Sequence, residues 1–190
     1  MKIKTTVFLT LIAIFAFSSL VSKAAEPTWL FTIPKAESLK KEHYNIGLIY
    51  FDFGITDNLD LGIHGLKYSI PGSNFAFGAS IFPLYGIYVV FSHDIGSGGL
   101  HVGFKTEPYH FFAGLEAPIS KTFNFIAELN KGLTAGVRIL PSKDWAIDLF
   151  MSFYPNKIYE VGYYQYKYKR IEIEKYKADP WLWIVYSGKF

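Results

Sequence analysis

The sequence predicts an all-β fold, an antiparallel up-and-down transmembrane β-barrel of ten to twelve strands. Three observations carry it. Apolar residues alternate with polar or small ones in one short segment after another. Turn chemistry separates those segments at spacings too short for crossover helices. The chain closes on an aromatic strand, Trp181 to Phe190, whose every second residue (Leu182, Ile184, Tyr186, Gly188, Phe190) forms a largely apolar face.

The amino-terminal end reads as an export signal over residues 1–24. Lys2 and Lys4 precede the apolar run Val7 to Phe17, and small and polar residues lead to Ser22 and Ala24, where cleavage is expected. The apolar run is shorter than the roughly 20 residues of a spanning helix. Lys2, Lys4 and Lys23 leave with the signal. Of 19 Lys and Arg, 16 then remain against 16 Asp and Glu. A balanced mature chain gives no basis for nucleic-acid binding, and none is expected.

The chain has no cysteine. That removes a disulfide framework, a thiol nucleophile and a cysteine-linked lipid anchor. The roughly 166 residues after the cut suit one domain. No mature segment is apolar for long enough to form a spanning helix, so a membrane would have to be crossed by strands.

Period-two alternation runs through most of the mature chain. Leu59, Leu61 and Ile63 oppose Asp60, Gly62 and His64, and Phe75, Phe77, Ala79 and Ile81 oppose Ala76, Gly78 and Ser80. Leu100, Val102 and Phe104 oppose His101 and Lys105, while Phe111, Ala113 and Leu115 oppose Gly114 and Glu116. Phe125, Ala127 and Leu129 oppose Asn124 and Glu128; Val137 and Ile139 oppose Arg138; Ile147, Leu149 and Met151 oppose Asp148. A helix would draw such charges into apolar stripes, and the frequent glycines disfavour it further. Turns are expected at Thr56-Asp57-Asn58, Pro71 to Asn74, Gly96 to Gly99, Asn130-Lys131-Gly132, Pro141 to Asp144 and Pro155-Asn156-Lys157.

These limits place strands near 44–54, 58–68, 74–82, 84–93, 99–105, 109–116, 122–129, 132–140, 145–154, 158–168 and 181–190. Eleven is an odd count where single-chain bacterial barrels are even. Trp29 to Ile33 supplies a twelfth strand, which is the preferred count; merging a weak candidate would give ten. Residues 25–43 are thus a lead-in or first strand, with a short helix possible over 35–43, and 44–190 form the barrel. Twelve strands put both ends on the periplasmic side and the basic stretch Lys167 to Lys177 outside the cell.

The same alternation sorts residues by face. With the apolar set toward lipid, Asp60, His64, His101, Lys105, Glu116, Glu128, Arg138 and Asp148 become candidate lumen residues. Buried charges are costly unless paired or hydrated. An internal ion-pair network filling a narrow barrel is preferred over a polar path for a solute. Aromatics make up 19% of the chain, and Tyr44, Tyr68, Tyr109, Trp145, Tyr154, Trp181 and Trp183 stand near strand ends, where interfacial girdles form. The Tyr163 to Arg170 stretch alternates Tyr with Lys and suits anionic headgroups such as lipopolysaccharide phosphates; the competing reading is a solvated loop balanced by Glu172 and Glu174.

The run Phe53-Gly54-Ile55-Thr56-Asp57-Asn58-Leu59-Asp60-Leu61-Gly62 resembles the hairpin unit of small bacterial outer-membrane β-barrel proteins, with a weaker echo over Leu140 to Leu149. The closing Leu182, Ile184, Tyr186 and Phe190 resemble the carboxy-terminal signal read by the barrel-assembly machinery, from which Gly188 departs in place of a bulkier residue. The resemblance implies a Gram-negative outer-membrane location, contact with outer-membrane lipid and with that machinery, and a porin-like structural or narrow-channel role. It carries no catalytic residue and no cofactor across.

Two other classes compete. A lipid-modifying outer-membrane hydrolase would need a nucleophile and a base in reach of each other. Ser92-His93-Asp94 and Ser97 are the candidates, but neighbours on a strand point to opposite faces, so no enzyme is expected. The five histidines show no metal-ligand spacing, and no metal is expected. A soluble periplasmic barrel holding an apolar ligand would invert the faces, with apolar residues inward.

Overall fold

The computed structural model describes residues 27–48, 51–81, 86–106, 111–130, 132–164 and 167–190, with the backbone path alone for 156–176. The expected export signal lies outside the described residues, as do the side chains of Tyr163 to Arg170. The described residues contain twelve strands and no helix. The low strands are β1 (His43–Gly47), β2 (Phe51–Thr56), β3 (Leu59–Gly62), β4 (Gly65–Ser69) and β5 (Phe75–Ser80). Next come β6 (Gly86–Ile95), β7 (Gly98–Lys105), β8 (Phe111–Ser120), β9 (Phe123–Leu129) and β10 (Leu133–Ser142). The tall pair is β11 (Trp145–Tyr164) and β12 (Lys167–Lys189). Each strand pairs antiparallel with its sequence neighbours, and β1 pairs with β12 to close the barrel.

The strand count agrees with twelve, but the strands are distributed differently. The expected strands 44–54 and 58–68 are each a hairpin, β1–β2 and β3–β4. No Pro, Asn or Asp marks either connection, and the one between β3 and β4 is tight. Gly62 pairs with Gly65 across only Ile63 and His64, and Gly65 has φ near 102°, a left-handed backbone that glycine adopts without penalty. The expected turn at Pro155 to Lys157 is instead continuous strand in β11, so 145–154 and 158–168 merge. The expected break before Trp181 is absent too: β12 runs unbroken from Lys167.

Trp29 to Ile33 does not join the wall, which corrects its reading as a strand. Leu30 N–H donates to Ile33 O at 3.0 Å and Lys35 N–H to Thr28 O at 3.0 Å, closing a tight turn. The helix considered over 35–43 is absent as well. Residues 27–41 lie inside the barrel as a plug. Phe31 and Ile33 are fully buried, and Trp29, Leu30 and Ala36 nearly so, packed with Ala76, Tyr88, Val90, Phe112, Ile126 and Phe150 of the wall. The wall is shaped for it. A Cβ on Gly54 would stand 2.0 Å from Lys40 O, and one on Gly114 would stand 2.4 Å from Leu30 Cδ1.

Outside, the wall is apolar. Phe51, Leu61, Phe75, Phe77, Phe104, Phe111, Leu129, Leu149, Leu182 and Ile184 are among its exposed large side chains. The start and the end of the wall meet at one rim, where Phe190 N–H donates to Glu42 O at 3.0 Å. There the ring of Tyr44 lies over Gly188, its cross-strand partner, and against Phe190 at 4.8 Å between centroids. Gly188 is small because Tyr44 fills its place from the neighbouring strand, a cross-strand covering of glycine by an aromatic. Above the Gly47–Val185 pair, no described residue pairs with that edge of β12. Pro180 sits on this edge; it has no N–H to leave unpaired there.

Candidate functional site

The inner wall and the plug form the one concentrated polar site among the described residues. A plug turn inside a barrel cannot complete a sheet, so its amides and carbonyls need other partners. Charged wall side chains supply them. The Glu128 carboxylate accepts from three consecutive backbone amides, Phe31 at 2.5 Å, Thr32 at 2.9 Å and Ile33 at 3.4 Å. Its second oxygen accepts from Thr32 Oγ1 at 2.7 Å. Several N–H donors converging on one carboxylate form a charge-assisted cradle, stronger than neutral hydrogen bonds.

Arg138 does the converse. Its Nη2 donates to Leu30 O at 2.6 Å and Trp29 O at 3.2 Å. Its guanidinium also grips Asp148 in a two-pronged pair, Nε to Oδ1 at 2.8 Å and Nη2 to Oδ2 at 2.9 Å. Arg138 and Asp148 are directly opposed across β10 and β11, so register alone brings them together. Glu116 receives the plug's own Lys35 Nζ at 2.8 Å and Asn124 Nδ2 at 3.0 Å.

The opposite side repeats the pattern. Lys67 Nζ donates to Glu37 O at 2.6 Å and Thr28 O at 3.2 Å, and pairs with Asp60, its cross-strand neighbour, at 3.2 Å. Asp60 accepts from Ser38 Oγ at 3.0 Å and from Leu39 N–H at 3.4 Å. Asp52 accepts from Thr28 Oγ1 at 3.3 Å, and Ser69 Oγ donates to Ala36 O. Two stacked rings complete the fit: Trp29 on His64 at 4.1 Å and Phe31 on Phe150 at 4.3 Å.

All eight residues singled out from the sequence are buried. Asp60, His64, Glu116, Glu128 and Arg138 meet the plug by these contacts, and Asp148 holds Arg138. His101 reaches it through Ser92: His101 Nδ1 lies 2.7 Å from Ser92 Oγ, and Ala36 N–H donates to that same oxygen at 2.8 Å. Lys105 lies opposite Tyr88, whose ring meets Trp29 edge-on. The carboxy-terminal set, Leu182, Ile184, Tyr186 and Phe190, lies on the opposite face, with Leu182, Ile184 and Phe190 exposed and Tyr186 partly so.

Sequence reasoning missed Asp52, Lys67, Ser92 and the plug's Lys35. The first two fell inside hairpins read as single strands, where parity counted from Asp60 would have pointed Lys67 outward, because the turn at Ile63-His64 reverses it. Ser92 was weighed only with His93. Ser92 is buried and His93 exposed, so they lie on opposite faces, and the histidine in reach is His101, across the sheet. In that pair Ser92 Oγ also accepts from the plug's Ala36 N–H. No group of three or more metal-ligating side chains occurs among the described residues. No family model matches the chain, nor does any curated protein or solved structure.

Proposed function

We propose that this chain is a bacterial outer-membrane β-barrel sealed by its own amino-terminal segment, with a structural role and no chemistry of its own. The observation that carries the reading is the sorting of side chains. Large apolar residues face out all round the wall, while carboxylates, lysines and Arg138 face in. A soluble barrel binding an apolar ligand needs the reverse, and its lumen would not be taken up by fifteen residues of its own chain. On this reading outer-membrane lipid, with lipopolysaccharide in the outer leaflet, covers the apolar face. The assembly machinery engages the outward Leu182, Ile184, Tyr186 and Phe190.

On the tall pair, β11 and β12, the dimensions agree. From Trp145 to Tyr154 the tall wall rises nine residues, which at about 3.3 Å each and a tilt of about 40° is close to the 25 Å apolar band of such barrels. Tyr154 and Lys177 then stand at its upper edge. The test is membrane fractionation with gel migration before and after boiling. Retention until detergent is added, with a heat-dependent mobility shift, is expected; release by osmotic shock without a shift would overturn the reading.

A further inference from the structure

The bore is filled, yet what fills it is bound like a ligand. The plug is tied covalently to the barrel only through Lys40 to Glu42 at the lower rim, where all three residues are exposed. Its contacts with the wall are mostly from wall side chains to plug backbone. Asp60–Lys67 and Arg138–Asp148 are paired within the wall itself and survive without it. A barrel wide enough to hold a polypeptide turn with its aromatic side chains is wide enough for hydrated ions once that turn is gone. Twelve strands also lie between the eight that side chains alone can fill and the sixteen of open channels.

We propose that the plug is a gate, and that its displacement opens a cation-selective pore. The selectivity follows from the wall. Among the described residues its buried side chains include five acids (Asp52, Asp60, Glu116, Glu128, Asp148) and three bases (Lys67, Lys105, Arg138). In the sealed state the plug offsets this excess, with Lys35 on Glu116 and the 31–33 amides on Glu128. Once the plug leaves, both carboxylates face the lumen without those partners. A lumen lined by an excess of one sign concentrates the opposite ion. This inference rests on the membrane reading.

The test is single-channel recording of the full-length chain in planar bilayers under a KCl gradient, using only preparations that pass the heat-shift assay. Phe31→Ala removes the stack on Phe150 and leaves the wall intact. Glu128→Gln removes the charge that holds the turn, and loss of such hydrogen bonds is worth about tenfold or more in open probability. Thr32→Val is the mildest plug variant, should either of these fail to fold. An Ala36→Cys/Ser92→Cys pair, unique in a chain without cysteine, locks the plug at its contact with β6.

Expected are rare openings in the wild type, frequent openings in the variants, a reversal potential on the cation side, and silence in the oxidised lock that reductant reverses. Folded variants that stay closed, or openings the lock does not stop, would show that the plug is no gate. Anion selectivity would overturn the assignment of the wall charges. A protein that fails the heat-shift assay in its wild-type form fails at the membrane reading instead.

Discussion

The low half of the wall, β1–β5, and the tall half, β6–β12, grip the same plug by different means. The low half holds its two ends. Asp52 and Lys67 take Thr28, while Asp60, Lys67 and Ser69 take residues 36–39, and the backbone of Gly54 runs directly against Lys40. The tall half holds the turn, through Glu128, Arg138, Glu116 and the stacked Phe150. Strands of four to six residues, about half the nine to eleven of a typical spanning strand, suffice on one side because the contacts there are short-range and lean on main chain. Both sides use charge and a stacked ring, His64 on the low side and Phe150 on the tall one. The tall side's hydrogen bonds, however, reach the plug from 56 to 109 residues along the chain and the low side's from no more than 39.

The comparison breaks most sharply at Arg138. Arg138→Met leaves Asp148 buried without its cation and strips Trp29 and Leu30 of their donor. A loss of about 3–5 kcal/mol is expected, read as a lower urea midpoint for the heat-shifted form. Lys67→Met should cost less, because Asp60 keeps its donors from Ser38 and Leu39. Equal losses would mean that the two halves are interchangeable.

Glycine substitutions come next. At Gly54 a Cβ meets backbone, the carbonyl of Lys40, which cannot move without shifting the plug's tail; Gly54→Ala should approach the upper end of the about 1–3 kcal/mol typical of overpacking. At Gly114 a Cβ meets only the far ends of Leu30 and Ile33, so Gly114→Ala should lie at the lower end of that range. The same midpoints measure both, and the reverse order would show that the low half yields more readily than its backbone contacts imply.

The seam between the halves is a smaller effect. Tyr44 covers Gly188 and touches both Tyr186 and Phe190. Tyr44→Ala should cost about 1–2 kcal/mol through lost aromatic pairs, and Gly188→Ala should also weaken the seam, because its Cβ would fall 2.6 Å from the Tyr44 ring. Urea midpoints unchanged in both would remove Tyr44 from the closure.

The smallest effect lies at the upper rim of the tall side. Hydrogen bonds from Tyr154 and Lys177 hold the Asp179 carboxyl below the ordinary aspartate range, and the Asp179 and Tyr154 hydrogen bonds raise Lys177. A depressed carboxyl favours the folded form above its ordinary value and loses that contribution as pH falls through the folded one. The raised lysine contributes below its ordinary value and loses this as pH rises through its folded one. Lys177 is exposed and Asp179 partly so, and solvent screening should keep any movement of the midpoint small in either titration. Tyr154→Phe should return the Asp179 titration, followed by carboxyl NMR, toward its ordinary range.

Strands β6 to β10 were legible one by one because each run of alternation ended at a turn the sequence announces, such as Gly96-Ser97 or Lys143-Asp144, whereas the turn announced at Pro155 to Lys157 lies inside the continuous β11. The low half was not, because no Pro, Asn or Asp marks the connection at Ile63-His64 or between Ile46 and Phe51, and parity reverses across each: Asp60 pairs with Lys67 and Asn45 with Asp52. Inward placement of Asp60, Glu128, Arg138 and Asp148 was readable from parity, since the side-chain period on a strand is two. Their partners were less so, because a register fixes which strands' residues meet and a sequence does not print the register.

By itself, then, the sequence determined which side chains share a face, since that follows from local backbone geometry. What Trp29 to Ile33 does was decided only by the tertiary structure. A short apolar stretch rich in aromatics and β-branched residues has the composition of a strand, and local chemistry favours that choice. Twelve other strands close the wall without it, while the bore offers a carboxylate for its amides, Arg138 for its carbonyls and rings for its rings. Glu128 and Arg138 are 95 to 109 residues away along the chain, and only folding brings them within reach.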